Sequence, residues 1–290
     1  MSVQDTLAVE PPLPGRSPAG QLNPSLVVGG VIVATIIGMA LLSFVWTPHD
    51  PTLVDATTRL QQPSGEYWLG TDKFGRDVFS QILVGSRTTL FVGFVAVGVA
   101  ALVGVPLGIL AGMAPRWFGE LLMRGNDVLL AFPALLLAIM FAAVYGASTL
   151  VAMVAIGIAT IPSFARLIRS GTLQVMHTEY VLAARMAGRS PLGIGVRHVL
   201  PNVSSLITVQ ASVGFAIAVL AEAALSFLGF GTPPPTPSWG RMLQESQEML
   251  WSAPRLAVFP GVAIALAVLG FNLLGDGLRD RFDPKLDDRR

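Results

Sequence analysis

Long apolar runs separated by short polar segments dominate this chain. Leu26–Val45 carries no charge, and its 20 residues rise about 30 Å as a helix, the thickness of a bilayer's hydrocarbon core. Thr88–Ala114 is a second uncharged run. Val128–Ala165 is uncharged for 38 residues, roughly 57 Å at helical rise, which is too long for one ordinary crossing. The small residues of Tyr145-Gly146-Ala147-Ser148 are the natural place to fold it into a hairpin. Val203–Gly231 is apolar apart from Glu222, and Leu256–Gly275 closes the set. The pattern predicts an all-α polytopic membrane protein with six transmembrane helices.

The predicted boundaries follow. Residues 1–23, with Pro11, Pro12, Pro14 and Pro18, read as a mobile tail, and 24–47 as the first span. Residues 48–86 form a loop, and 87–277 hold the remaining five spans. Within that stretch lie a polar loop at 166–202 and another loop at 231–254. Residues 278–290 form a second tail. The first span reads as a retained anchor rather than a cleaved signal. Its apolar core is longer than a signal core, and no small-residue cleavage site precedes Thr47-Pro48.

The polar loop has a grammar of its own. Thr178 is a predicted N-cap for a helix that begins with Glu179. Leu182, Ala183, Ala184 and Ala187 are good helix formers, and Gly188 supplies a left-handed C-cap. Ser190-Pro191 then starts a second helix at once. Two short helices broken at Gly188 are expected to lie on the membrane surface.

Composition agrees with a membrane protein: 52% hydrophobic residues, 13% charged and a mean hydropathy of +0.64 leave too little charge to cover a soluble surface. A net charge of +1 gives no case for nucleic acid. There is no cysteine, so disulfides, thiolate metal sites and cysteine nucleophiles are excluded. His49, His177 and His198 have no metal-ligand spacing. With both termini in the cytosol, thirteen of the 19 lysines and arginines fall inside and six outside (Arg59, Lys73, Arg76, Arg87, Arg241 and Arg255). That bias orients the chain with residues 166–202 inside and both loops, 48–86 and 231–254, outside. A phosphate-binding loop needs a lysine after glycine, yet Lys73 follows Asp72 and Lys285 follows Pro284. Any ATP-driven process would therefore need ATPase subunits on other polypeptides. No Ser-His-Asp set or catalytic carboxylate pair stands out.

Five segments, in order, carry a family resemblance. The first runs Leu69-Gly70-Thr71-Asp72, Gly75-Arg76-Asp77-Val78 and Gly85-Ser86-Arg87. Ala131-Phe132-Pro133 is the second. Glu179-Tyr180-Val181, Ala183-Ala184-Arg185 and Gly188, ending at His198, Pro201 and Asn202, make the third. Leu225–Gly229 with Pro237-Ser238-Trp239-Gly240, and then Asn272–Asp280, complete the series. Together they resemble the inner-membrane permeases of bacterial ATP-binding-cassette importers, specifically the C-type permeases of the dipeptide, oligopeptide and nickel family. The general importer pattern has its glutamate where Leu182 stands and its isoleucine where His198 stands. The peptide branch carries its acid three residues earlier, as Glu179 does here.

That resemblance implies a multi-pass subunit of the bacterial inner membrane that forms half of a pathway for small peptides, dipeptides foremost. Nickel, glutathione and longer peptides remain as other cargoes. It implies a homologous B-type permease alongside, two cytosolic ATPases carrying the ATP and Mg, and an extracytoplasmic binding protein. No cofactor or metal is expected in this chain. Glu179, Tyr180, Ala183, Ala184, Arg185, Gly188, His198 and Pro201 would form the coupling surface, with Ala184 against the ATPase. Asp72, Gly75, Arg76 and Asp77 would form an outer motif. Phe132, Pro133, Glu222 and Phe227 are candidate pathway or interface residues. Glu222 is the lone acid deep in a predicted span, and burying it asks for a partner. A structural hydrogen bond across the permease interface, or a place lining the cavity, is favoured over proton coupling, because no second intramembrane acid exists to relay a proton. Pro106, Pro133 and Pro162 would kink spans or be packed passively, and Pro233–Pro237 reads as a stiff outer rim before Trp239. A stand-alone secondary transporter or channel would show further intramembrane ionisable residues or an inverted repeat, and neither is present. A membrane-embedded enzyme would need paired catalytic groups.

Overall fold

The computed structural model describes residues 23–282. Ten α-helices account for most of them: α1 (Pro24–Val45), α2 (Val78–Met113), α3 (Arg116–Leu130), α4 (Ala134–Tyr145), α5 (Thr149–Met176), α6 (Glu179–Met186), α7 (Pro191–Ile194), α8 (Leu200–Phe227), α9 (Trp239–Ser246) and α10 (Arg255–Phe282). Five helical stretches are long and apolar enough to cross a membrane, and the α3–α4 pair makes a sixth if counted as one bent crossing. The expected tails at 1–22 and 283–290 lie outside the described residues.

Small residues let the spans approach closely. Gly104, Gly108 and Gly112 line one face of α2, and a methyl added to them would sit 2.6 Å from Phe164 Cβ, Ala165 O and Thr172 Cγ2 of α5. Gly157 returns the favour, since a Cβ there would lie 2.8 Å from Ala96 O. This small-residue spacing at intervals of four brings two backbones within van der Waals reach, and α2 and α5 form the central pair of the bundle. Gly29 of α1 packs in the same way against the α10 backbone at Gly270 and Leu274. Phe164, Ile168, Val199 and Val203 are fully buried where α5 meets the start of α8.

Three boundaries differ from the sequence expectation. Helix α2 starts at Val78, not near residue 87, so the first loop is 46–77. Asp77 causes the shift, accepting from Ser80 N–H at 2.9 Å and Ser80 Oγ at 2.6 Å as a side-chain N-cap. The third crossing is broken, with α3 and α4 meeting at 75° across Ala131-Phe132-Pro133. Pro133 lacks an N–H and sits directly before α4, so it ends one helix and starts the next rather than kinking a continuous span. The polar loop expected at 166–202 is much shorter. Helix α5 runs to Met176, placing Arg166 and Arg169 on a helix, and α7 continues through a wide π-turn (Gly195–Val199) into α8. The second short helix is thus the root of a 37-residue helical stretch, Pro191–Phe227.

Alternating passage puts the loops 46–77 and 228–254, and the 146–148 turn, at one end of the bundle. Helices α3, α6 and α7 lie at the other.

Candidate functional site

At the α6 end, a short helix is held by a single buried side chain. Val181 is fully buried in the cluster that includes Ile168, Met176, Ile194 and Val199. Ala184, one turn on, is half-buried on the same inner side, whereas Ala183 is exposed. The outward face carries Leu182 (48% exposed) and Met186 (90% exposed), four residues apart, with Tyr180 at 45%. The family resemblance singled out the alanines and passed over Leu182 and Met186, although the i, i+4 apolar pair was visible in the sequence. Glu179 is exposed in the first turn, and Arg185 is exposed in the last, with Nη2 4.0 Å from Met176 Sδ. Met186 and Leu182 together make an apolar tip on α6.

The helix ends sharply. Gly188 adopts φ +74°, with Gly188 N–H donating to Arg185 O (3.0 Å) and Arg189 N–H to Ala184 O (3.1 Å). This is the left-handed stop that glycine permits; open space surrounds Gly188, so only the backbone angle demands it. Thr178 precedes α6 but does not cap it, because its hydroxyl donates to Val175 O at 2.6 Å. Ser190 does cap α7, accepting from Gly193 N–H at 3.2 Å.

The π-turn has a local cause. Pro201 has no N–H to offer the carbonyl four residues back and would crowd it, so the helix widens, and Leu200 N–H reaches Gly195 O instead. Asn202 Nδ2 donates to His198 O at 2.7 Å and satisfies the carbonyl one residue on. His198 is half-buried with Nε2 unpartnered, and its ring stands 6.1 Å from Tyr180 of α6. Tyr180 and His198 thus add a ring contact to the Val181 packing that joins the short helix to the base of α8.

Just inside this end, α5 and α8, with Arg279 of α10, line an open cavity of about 590 Å³. Its polar wall is Gln174, Asn202, Ser205 and Gln210, with Arg279 at one side. No carboxylate lines it. Such a wall offers neutral donors and acceptors, and its sequence signal was the amides and hydroxyls inside otherwise apolar runs.

The opposite end is cross-linked. Asp72 accepts from Phe74 N–H (2.8 Å), Arg76 N–H (3.0 Å), Arg76 Nε (2.7 Å) and Gln81 Nε2 (3.0 Å). Arg76 also grips Glu245 of α9, which in turn accepts from Arg241 Nε at 2.8 Å. Burial works against the Arg76 charge, but Asp72 and Glu245 outweigh it and hold its pKa above the usual arginine value. Gly75, at φ +81°, turns the chain tightly beneath the Asp55 carbonyl. Trp239, fully buried, donates Nε1–H to Ile82 O at 3.0 Å. The Asp72, Gly75, Arg76 and Asp77 motif thus builds a cap and a helix start.

Glu222 is 3% exposed and accepts from Ser226 Oγ (2.6 Å) and Thr232 Oγ1 (3.1 Å). Thr232 also accepts from Thr149 Oγ1 at 3.2 Å. Glu222 therefore ties α8 to the following loop and, through Thr232, to the start of α5. Its partners lie within the chain, and it lines no described cavity. Phe132 is 45% exposed at the α3–α4 break beside exposed Pro133, and Phe227, 39% exposed, closes α8 at the capped end. The structure does not bring Phe132, Pro133, Glu222 and Phe227 into one site.

A family model described as binding-protein-dependent transport system inner membrane component matches residues 104–288. The dipeptide transport system permease protein DppC of Alkalihalophilus pseudofirmus is 44% identical over 264 residues, covering 91% of this chain and 87% of that protein. The glutathione transport system permease protein GsiD of Pectobacterium atrosepticum is 43% identical over 261 residues, 90% of this chain and 87% of the relative. Among solved structures, a chain of the MetNI methionine ABC transporter in an inward-facing conformation superposes with a TM-score of 0.59 at 17% identity, over 69% of this chain and 95% of that one. At that identity the likeness speaks for the fold.

Proposed function

This chain belongs to the binding-protein-dependent transport system inner membrane component family, and we propose that it forms one half of the pathway by which an ATP-driven importer carries small peptides across the bacterial inner membrane. It is a permease subunit of an ABC importer. The other half of the pathway is a homologous permease, and the energy enters from two separate ATPases that bind ATP and Mg. A binding protein outside the membrane delivers the cargo. The observation that carries this reading is the exposed α6, with Leu182 and Met186 presented on a helix that is pinned by Val181 and stopped at Gly188. An apolar tip on a short rigid lever suits a groove on a moving partner, and Tyr180–His198 and the π-turn pass its displacement to α8.

Orientation follows the basic residues. The α6 end carries Arg116, Arg124, Arg166, Arg169, Arg185, Arg189, Arg197, Arg279 and Arg281 and is cytosolic, and the capped end faces outward. The cavity walled by Gln174, Asn202 and Gln210 lies near the cytosolic end, where neutral amides can accompany a peptide backbone without trapping it. Dipeptides are the favoured cargo, from the 44% identical dipeptide permease. Glutathione, itself a short peptide, is the second reading, from the 43% identical relative.

The test is reconstitution in liposomes with the partner permease, the ATPases and the binding protein, followed by uptake of labelled dipeptide and glutathione. Uptake should need every component and ATP. Uptake by this chain alone would overturn the reading in favour of a secondary transporter. Because the chain has no cysteine, Ser64→Cys and Ser190→Cys report orientation in intact cells. An impermeant reagent should label the first only, and the opposite result would invert the topology.

A further inference from the structure

Arg87 lies inside α2, nine residues beyond its first residue, and has no carboxylate among the described residues. Its Nε donates to Ser43 Oγ at 2.5 Å, and its guanidinium carbon stands 3.9 Å from the centre of the Phe44 ring. Ser43 is buried and donates its own hydroxyl to Ala40 O at 2.7 Å, so it is a fixed brace. A guanidinium has five N–H donors, and one is used here; the four on the terminal nitrogens meet no acceptor among the described residues. Other basic groups at the same end are served differently. Lys73, Arg76 and Arg241 pair with carboxylates, and Arg255 donates to Leu60 O and Gln61 O.

Depth and surroundings identify what those donors face. Ser43 and Phe44 belong to the last turn of α1, which ends at Val45 and is followed by Trp46. Leu41, Phe44 and Val45 are 62%, 70% and 89% exposed, as lipid-facing side chains are, and Trp46 pairs with Trp68 at 6.2 Å. Tryptophans in that position mark the membrane–water boundary. The guanidinium therefore sits where acyl tails give way to headgroups, the level of phospholipid phosphates. A phosphate takes two guanidinium N–H bonds in a planar fork, and an aromatic face beneath leaves that fork free. Helix α1 is peripheral: about a fifth of its most apolar stretch is buried, against more than half for α5, and among the described residues it packs chiefly on α2 and α10. That placement favours lipid over a second protein subunit.

We propose that Arg87, braced by Ser43 and Phe44, holds the phosphate of a phospholipid in the leaflet at the capped end. The test uses the full-length permease purified with its partner subunits, stripped of lipid by detergent exchange and titrated with dioleoylphosphatidylglycerol under native mass spectrometry. Retention should fall about tenfold in Arg87→Gln, the scale of one lost charge-assisted pair. Arg87→Lys should fall between, since it keeps the charge and loses the fork. Dioleoylglycerol, which has no phosphate, should bind all three alike, and inorganic phosphate should not displace the phospholipid. If Arg87→Gln yields poorly, Ser43→Ala removes the brace alone and should still weaken retention. Equal phospholipid retention by wild type, Arg87→Gln and Ser43→Ala would overturn the proposal. So would displacement by inorganic phosphate, or release of the partner permease from Arg87→Gln, which would assign the arginine to a protein carboxylate.

Discussion

The two ends of the bundle use their charged side chains differently. At the capped end, charges close on one another. Asp72, Arg76, Glu245 and Arg241 form a chain joining the first loop to α9, Lys73 reaches Glu248 at 2.8 Å, and Thr232 joins Glu222 to Thr149. At the α6 end the pairs Arg116–Glu120 and Arg166–Asp127 are solvent-exposed, Arg185, Arg189 and Arg197 make no ion pair among the described residues, and Leu182, Met186 and Leu192 stand in the open. A surface that spends its polar groups on itself is rigid, whereas one that leaves them unpaired is built to meet something else. In an importer permease, the first property suits a platform and the second a lever.

One substitution made at both ends tests that contrast. Arg76→Ala removes the charge between Asp72 and Glu245, whose side chains are 13% and 17% exposed, leaving Asp72 its backbone and Gln81 donors and Glu245 its Arg241, and should cost about 2 kcal/mol. Thermal unfolding of the solubilised protein would show it as a marked fall in midpoint. Arg185→Ala, on the exposed face of α6, should shift stability by no more than about 0.5 kcal/mol. Equal shifts would erase the distinction. Between them, Thr232→Val removes one hydroxyl donor from the buried Glu222 carboxylate and should cost about 1 kcal/mol, read by the same melts.

The fold was legible wherever apolar length alone decides. Uncharged runs of twenty or more residues fix the all-helical membrane class without any tertiary information. Local capping was half legible. Gly188 and Ser190 act as their types suggest, but Thr178 turns its hydroxyl back to Val175 O, a choice between two acceptors that sequence does not reveal. The start of α2 was missed because Arg87 looked like a span boundary, whereas Asp77 had already opened the helix. The α3–α4 break was missed because Pro133 reads as a kink or as passive packing inside one span, whereas it stands directly before α4. Pairs such as Arg76 with Glu245 are 169 residues apart and carry no sequence signal. The Gly104, Gly108 and Gly112 series was in plain view as a close-packing face, and only its partner helix needed the structure.

The central claim is that α6 transmits the drive, and Met186→Asp tests it most directly. Met186 is 90% exposed and touches nothing that holds the bundle, so the change should leave insertion and stability within about 0.5 kcal/mol. In the reconstituted importer, the rate of ATP hydrolysis is measured with and without cargo-loaded binding protein. The account predicts normal membrane abundance with loss of the stimulated rate, because a charge on the apolar tip would be buried unpaired in the ATPase groove. Stimulation equal to that of the unmodified importer would contradict it.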